Sequence, residues 1–95
     1  MNIKSARPLV SVVIPHYGGQ EIIFECIQSL YNCTYSNIEL IVLDNNSPDN
    51  SYEFIKTNFP QIKLVQSKYN RGFAGGCNMG IKYAKGEYIL ILNND

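Results

Sequence analysis

Four short polar clusters carry the residues that could do chemistry. They are Pro15-His16-Tyr17-Gly18-Gly19, Asp44-Asn45-Asn46-Ser47, Lys68-Tyr69-Asn70-Arg71-Gly72 and Asn93-Asn94-Asp95. Asp44 ends an apolar run, where a carboxylate needs a reason. It either caps the turn that follows, since Asp accepts hydrogen bonds from backbone two residues on, or accepts the imide N–H of a uracil or thymine base. The glycines of "NRGFAGGCN" open a helix. Glycine lets backbone approach a ligand closely, and a helix N-terminus favours phosphate. The spacing is neither Gly-x-Gly-x-x-Gly nor the lysine-bearing P-loop, so close packing of a helix start is the plainer reading. Arg71 either pairs with a diphosphate or is a solvated loop charge. Asp95 is a single hard oxygen ligand. A Mg²⁺ or Mn²⁺ ion takes one or two protein carboxylates plus substrate phosphates, so Asp95 serves a metal only with a nucleotide completing the shell. His16 and Cys77 make no credible nucleophile pair, because Cys77 falls on a helix face expected to be buried.

The elements that must position these clusters alternate along the chain. "LVSVVIP" (Leu9 to Pro15) is a nearly continuous apolar run ended by proline, the pattern of a strand buried on both faces, and "IELIVLD" (Ile38 to Asp44) is a second buried strand. "IKLVQS" (Ile62 to Ser67) is more polar and is expected at an edge. "EYILIL" (Glu87 to Leu92) is the fourth strand. Between them lie three helical patterns. In "QEIIFECIQSLYNC" the residues Ile22, Ile23, Cys26, Ile27, Leu30 and Tyr31 recur at helical spacing. The second helix is expected to start at Ser47 as N-cap with Pro48 and Asp49 following, to turn Tyr52, Ile55 and Phe59 inward, and to stop at Pro60. The third, "GFAGGCNMGIKYAKG", is expected to bury Phe73, Cys77, Ile81 and Ala84 and to end on Gly86. The order β-α-β-α-β-α-β predicts an α/β fold with a parallel sheet and alternating helices. In such sheets ligands sit beyond the carboxyl ends of the strands. All four polar clusters fall there, which points to one polar small-molecule site.

Composition narrows the choice. The chain has 95 residues, 45% hydrophobic and 17% charged, as expected of a folded chain. Eight basic residues balance eight acidic ones, which argues against nucleic-acid binding through bulk positive charge. The cysteines Cys26, Cys33 and Cys77 form no disulfide framework and no Cys-x-x-Cys pair. With His16 the only histidine, a zinc site is not expected. No signal peptide and no apolar run of the ~20 residues of a membrane span is visible, so a cytoplasmic location is expected.

Three stretches together, "VSVVIPHYGG", "IELIVLDNNSPDNS" and "NRGFAGGCNMGIKYAKGEYILILNND", resemble the N-terminal nucleotide-binding half of family 2 glycosyltransferases with the GT-A fold. The resemblance runs from Val10 to Asp95. Each motif is loose, while their order and spacing are specific, and the last stretch is most similar to rhamnosyltransferase-like members. The resemblance implies a Rossmann-like sheet of strand order 3-2-1-4 and transfer of a sugar from a nucleoside diphosphate donor, UDP- or dTDP-linked, to a glycan or lipid-linked saccharide. By it, Pro15 and Tyr17 line the base and ribose pocket and Asp44 contacts the base. Asn70, Gly72 and Gly75 shape the diphosphate side, Asn94 reaches ribose, and Asp95 holds Mn²⁺ or Mg²⁺. Asn93 and Asn94 depart from the family's more acidic motif, which leaves the metal to Asp95.

The resemblance also implies that residues 1–95 are one truncated domain. The acceptor half and its general base follow the metal motif in the family, so the chain alone is expected not to transfer sugar, and its parent to work at the inner face of the membrane. An uncovered last strand is expected to pair with a second copy through Tyr88 to Leu92. A non-catalytic nucleotide-sugar-binding module is the alternative. A dinucleotide-binding domain is disfavoured by "PHYGG" after the first strand, and a ligand-free α/β fragment is the last reading.

Overall fold

The computed structural model describes residues 7–94. Asp95, the expected metal ligand, lies outside the described residues. The elements are β1 (Val10–His16), α1 (Gln20–Tyr31), β2 (Ile38–Asp44), α2 (Ser51–Asn58), β3 (Lys63–Gln66), α3 (Gly72–Ile81) and β4 (Tyr88–Ile91). The four strands form one sheet in the order β3-β2-β1-β4, and every pair is parallel. This is the architecture the sequence predicts, with β3 at one edge. β1 is paired along its whole length with β2, from Val10 opposite Ile38 to His16 opposite Asp44.

Period-2 alternation divides the central strands between two faces. Val12, Ile14, Leu40 and Val42 pack against Ile23 and Ile27 of α1 and Ile55 of α2. Ile14, Ile23, Ile27 and Ile55 are wholly buried, and each such side chain contributes about 1.5–3 kcal/mol. Phe24, Phe54 and Phe59 close the seam between α1 and α2 with ring centroids 5.8–6.3 Å apart. Of the six α1 residues expected to face inward, Ile23 and Ile27 are buried, Cys26 and Leu30 are half-buried, and Ile22 and Tyr31 are exposed. The apolar stripe is wider than the surface available to cover it.

On the opposite face α3 lies against β1 and β2, and the expected helix face is corrected. Gly76, Cys77 and Gly80 are the buried residues, whereas Phe73 is 54% exposed. The backbone of α3 comes so close that a Cβ on Gly80 would stand 2.6 Å from Val13 Cγ1. Hydrophobic spacing cannot register a contact face made of residues without side chains. Burial raises the Cys77 thiol pKa, as fits a core residue.

Two boundaries also move. α2 begins at Ser51, not after Ser47, because the Ser47 side chain and N–H are both directed back to Asp44. α3 ends at Ile81, and Gly86 is no helix cap: its N–H donates to Ser11 Oγ at 2.8 Å, which pins the α3–β4 connection to the start of β1. Ser11 Oγ donates in turn to Glu39 Oε2, which also accepts the Lys85 N–H. Burial alone would raise the Glu39 pKa, but these hydrogen bonds and the Lys63 charge hold it below the ordinary range.

β4 is the second edge strand. Tyr88, Ile89 and Leu90 are 44–63% exposed, while Leu92 reaches the core cluster. Among the described residues, no helix is long and apolar enough to cross a membrane.

Candidate functional site

The carboxyl ends of β1, β2 and β4 and the start of α3 enclose one open cleft of about 260 Å³. Pro15, His16, Tyr17, Asn45, Asn70, Gly72, Phe73, Asn93 and Asn94 line it. Five residues expected at the site therefore come together: Pro15, Tyr17, Asn70, Gly72 and Asn94. Pro15 forms a wall at the end of a buried strand, and Tyr17 is 54% exposed beside it.

Gly72 shows why the β3–α3 loop holds its shape. Its φ is +76°, in the left-handed region that side chains rarely adopt. Its N–H donates to Asn70 Oδ1 at 2.8 Å, and its carbonyl accepts from Asn45 Nδ2 at 3.2 Å. Asn45 Oδ1 accepts the Arg71 N–H at 3.1 Å. One buried asparagine at the end of β2 thus holds the backbone at the start of α3. Arg71 itself turns away, with Nε donating to Ser67 Oγ at 2.8 Å and the guanidinium 4.5 Å over the Tyr69 ring.

Two expected residues do not reach the cleft. Asp44 is fully buried on the α1–α2 side of the sheet, and its carboxylate accepts Ser47 Oγ, Ser47 N–H and Gln66 Nε2. These bonds cap the turn after β2, and it is the neighbouring Asn45 that lines the cleft. Gly75 lies on α3 in a separate groove with Arg71, Asn78, Met79, Lys82 and Tyr83. Two further residues line the cleft: His16, a member of the first polar cluster to which no role at the site was given, and Phe73, expected in the core. The signal available for His16 was its place at the carboxyl end of β1, inside the first polar cluster.

The turn after β1 is braced from the β2–α2 loop. The Gly18 N–H donates to Ser47 Oγ at 2.9 Å and the Gly19 N–H to Asp49 Oδ2 at 2.8 Å. The hydrogen bond from Ser51 Oγ, helped by the N–H groups of Gly19 and Ser51 and opposed by partial burial, holds Asp49 below the usual carboxylate range.

Every side chain described along the cleft is neutral or a histidine. Among the described residues no group of three His, Cys, Asp or Glu stands close enough to hold a metal ion. That composition fits a divalent ion only where the ligand supplies most of the oxygens and the chain adds one carboxylate next to Asn94.

The sequence model described as "Glycosyl transferase family 2" matches residues 11–95. Glycosyltransferase GlyG of Streptococcus pneumoniae is 39% identical over 90 residues, which covers 92% of this chain and 30% of that protein. An Escherichia coli enzyme, UDP-Glc:alpha-D-GlcNAc-diphosphoundecaprenol beta-1,3-glucosyltransferase WfgD, is 38% identical over 88 residues, covering 92% of this chain and 35% of its own length. Among solved structures, the mannosyltransferase PcManGT of Pyrobaculum calidifontis, in complex with GDP-Man and Mn²⁺, superposes with a TM-score of 0.86. It is 28% identical over 94% of this chain and 28% of that one. S. aureus TarS 1–349 in complex with UDP superposes with a TM-score of 0.78 at 27% identity, over 90% of this chain and 27% of that one. The chain therefore spans about a third of the length of these two curated relatives. With the strand order, the polar rim and the family match in agreement, the chain belongs to glycosyl transferase family 2.

Proposed function

We propose that this chain is the donor-binding part of a glycosyltransferase. It takes a nucleoside diphosphate sugar, UDP- or dTDP-linked, whose hexosyl group, rhamnosyl included, passes to a glycan or lipid-linked saccharide. The observation that carries this reading is the convergence of Pro15, Tyr17, Asn70, Gly72 and Asn94 on one cleft at the carboxyl end of a parallel sheet. In it, Pro15 and Tyr17 flank the base and ribose. Asn94 offers an amide to ribose hydroxyls. The N-terminus of α3, opened by Gly72, faces the diphosphate, where backbone N–H groups and the helix dipole favour negative charge. Asp95 would hold the Mn²⁺ or Mg²⁺ ion, which when bound offsets charge growing on the leaving diphosphate. Asp44 and Asn45 serve by fixing the loops around the cleft.

Calorimetric titration of the full chain with UDP and dTDP, with and without Mn²⁺, tests the reading, with AMP and NAD as controls. Metal-dependent binding of the pyrimidine diphosphates is expected, weakened at least ~10-fold in Asp95→Ala, since each ~1.4 kcal/mol of lost ion contact is tenfold. Absence of pyrimidine diphosphate binding would sink it. Self-association through Tyr88–Leu92 belongs to the same proposal, supported by the exposed apolar side chains of β4. Sedimentation is expected to show dimer growing with concentration, and a monomer throughout removes that part.

A further inference from the structure

Backbone pairing of β1 with β4 runs from Val10 opposite Tyr88 to Val13 opposite Ile91. One more bond follows, from the Leu92 N–H to the Val13 carbonyl at 2.9 Å. β1 continues to His16, whereas β4 ends at Ile91. Beyond that point the register is carried by side chains. His16 and Asn94 stand at the same 78-residue offset as the ladder pairs, and His16 Nδ1 and Asn94 Nδ2 meet at 3.0 Å. The ring is 1% exposed, on the face of Val12 and Ile14, and does not swing freely.

We infer that His16 is a positioning residue for the nucleotide site: its ring holds the Asn94 carboxamide, and with it the β4 exit leading to Asp95, in register with β1 at the cleft. The inference rests on the donor-binding reading. The Asn94 amide nitrogen faces Nδ1, and since an amide nitrogen only donates, Nδ1 is the acceptor in this contact. The bond orients Asn94 before any ligand arrives, so less of its rotamer freedom is lost on binding. A leucine of similar bulk fills the space but cannot accept. An asparagine places Oδ1 about where Nδ1 stood and can.

The experiment compares the full wild-type chain with His16→Leu and His16→Asn. Side-chain amide exchange at Asn94 is followed by NMR, and affinity for UDP with Mn²⁺ by calorimetry. Wild type and His16→Asn are expected to show slow exchange at the Asn94 amide and UDP affinities within about threefold of each other. His16→Leu is expected to exchange fast and to bind roughly 10-fold more weakly, the low end of what losing an orienting partner costs. Wild-type exchange as fast as that of free asparagine overturns the inference. So does a folded His16→Asn that binds as weakly as His16→Leu, or a His16→Leu that binds like wild type. A wild-type chain that binds no UDP overturns the donor-binding reading itself and the inference with it.

Discussion

Replacing Gly86 by alanine is expected to lower the melting temperature by roughly 12–24 °C, the shift that about 3 kcal/mol produces in a domain of this size. Gly86 sits where the α3–β4 connection crosses the start of β1. A Cβ there would stand 2.7 Å from Leu9 O, Ser11 N and Ser11 Oγ. Two of those atoms are backbone, Ser11 N within β1 and Leu9 O just before it, and they cannot retreat without disturbing the pairing of β1 with β2 and the bond from the Glu87 N–H to Leu9 O. The third is the hydroxyl that links Gly86 to Glu39. Overpacking costs about 1–3 kcal/mol when side chains can give, and here the neighbours cannot, which puts the loss at the upper end. Gly80→Ala is the internal comparison. Its Cβ meets Val13 Cγ1, a side-chain methyl, and alanine returns up to about 1 kcal/mol of helix propensity. Thermal unfolding should therefore rank wild type above Gly80→Ala and Gly80→Ala above Gly86→Ala. An unchanged melting temperature in Gly86→Ala would refute the close approach.

The second large effect is expected at Asp44. Asp44→Ala removes the acceptor of Ser47 Oγ, Ser47 N–H and Gln66 Nε2 at a fully buried position. Each buried donor left unsatisfied costs about 1–3 kcal/mol. Gln66 is exposed and Ser47 only half-buried, so water replaces part of the loss, and about 3 kcal/mol in total is expected. Asp44→Asn keeps one acceptor oxygen but turns a donor toward groups that also donate, for a loss of about 1–2 kcal/mol. Denaturant unfolding should order the three as wild type, then asparagine, then alanine. The pair also separates the two readings of this carboxylate left open on sequence. A residue that touched the base would lose nucleotide affinity in Asp44→Asn while keeping its stability. A turn cap loses stability in both variants, and weakens binding only because the Ser47 hydroxyl no longer steadies the Gly18 N–H.

The sequence made the sheet plain because β1 and β2 are buried on both faces and are apolar apart from Ser11 and Glu39 before their polar ends. It pointed to the rim that carries the cleft as well, since a parallel sheet brings its strand ends to one side. What it hid follows from three causes. Asp44 and Asn45 are adjacent, so composition put both at the strand end but did not say which of them lines the cleft. The contact face of α3 is built from Gly76 and Gly80, which no scale of side-chain hydrophobicity detects. Ser47 has every local property of a helix cap, yet its hydroxyl serves Asp44 across the turn, and the helix waits for Ser51.

The central place of β1, flanked by β2 and β4, has a consequence for how the chain is made. The ribosome releases the N-terminus first. β1 finds β2 about thirty residues later, but its other edge stays open until β4 has been synthesised. At roughly 5–20 residues per second, that wait lasts on the order of 4–16 s. During it the strand that ends up most deeply enclosed shows bare backbone donors and acceptors to whatever is near. The nascent chain is therefore at its most adhesive just before Tyr88 emerges, and slow translation over the α3 region would lengthen the interval in which a chaperone, or a second nascent chain, can occupy the edge meant for β4.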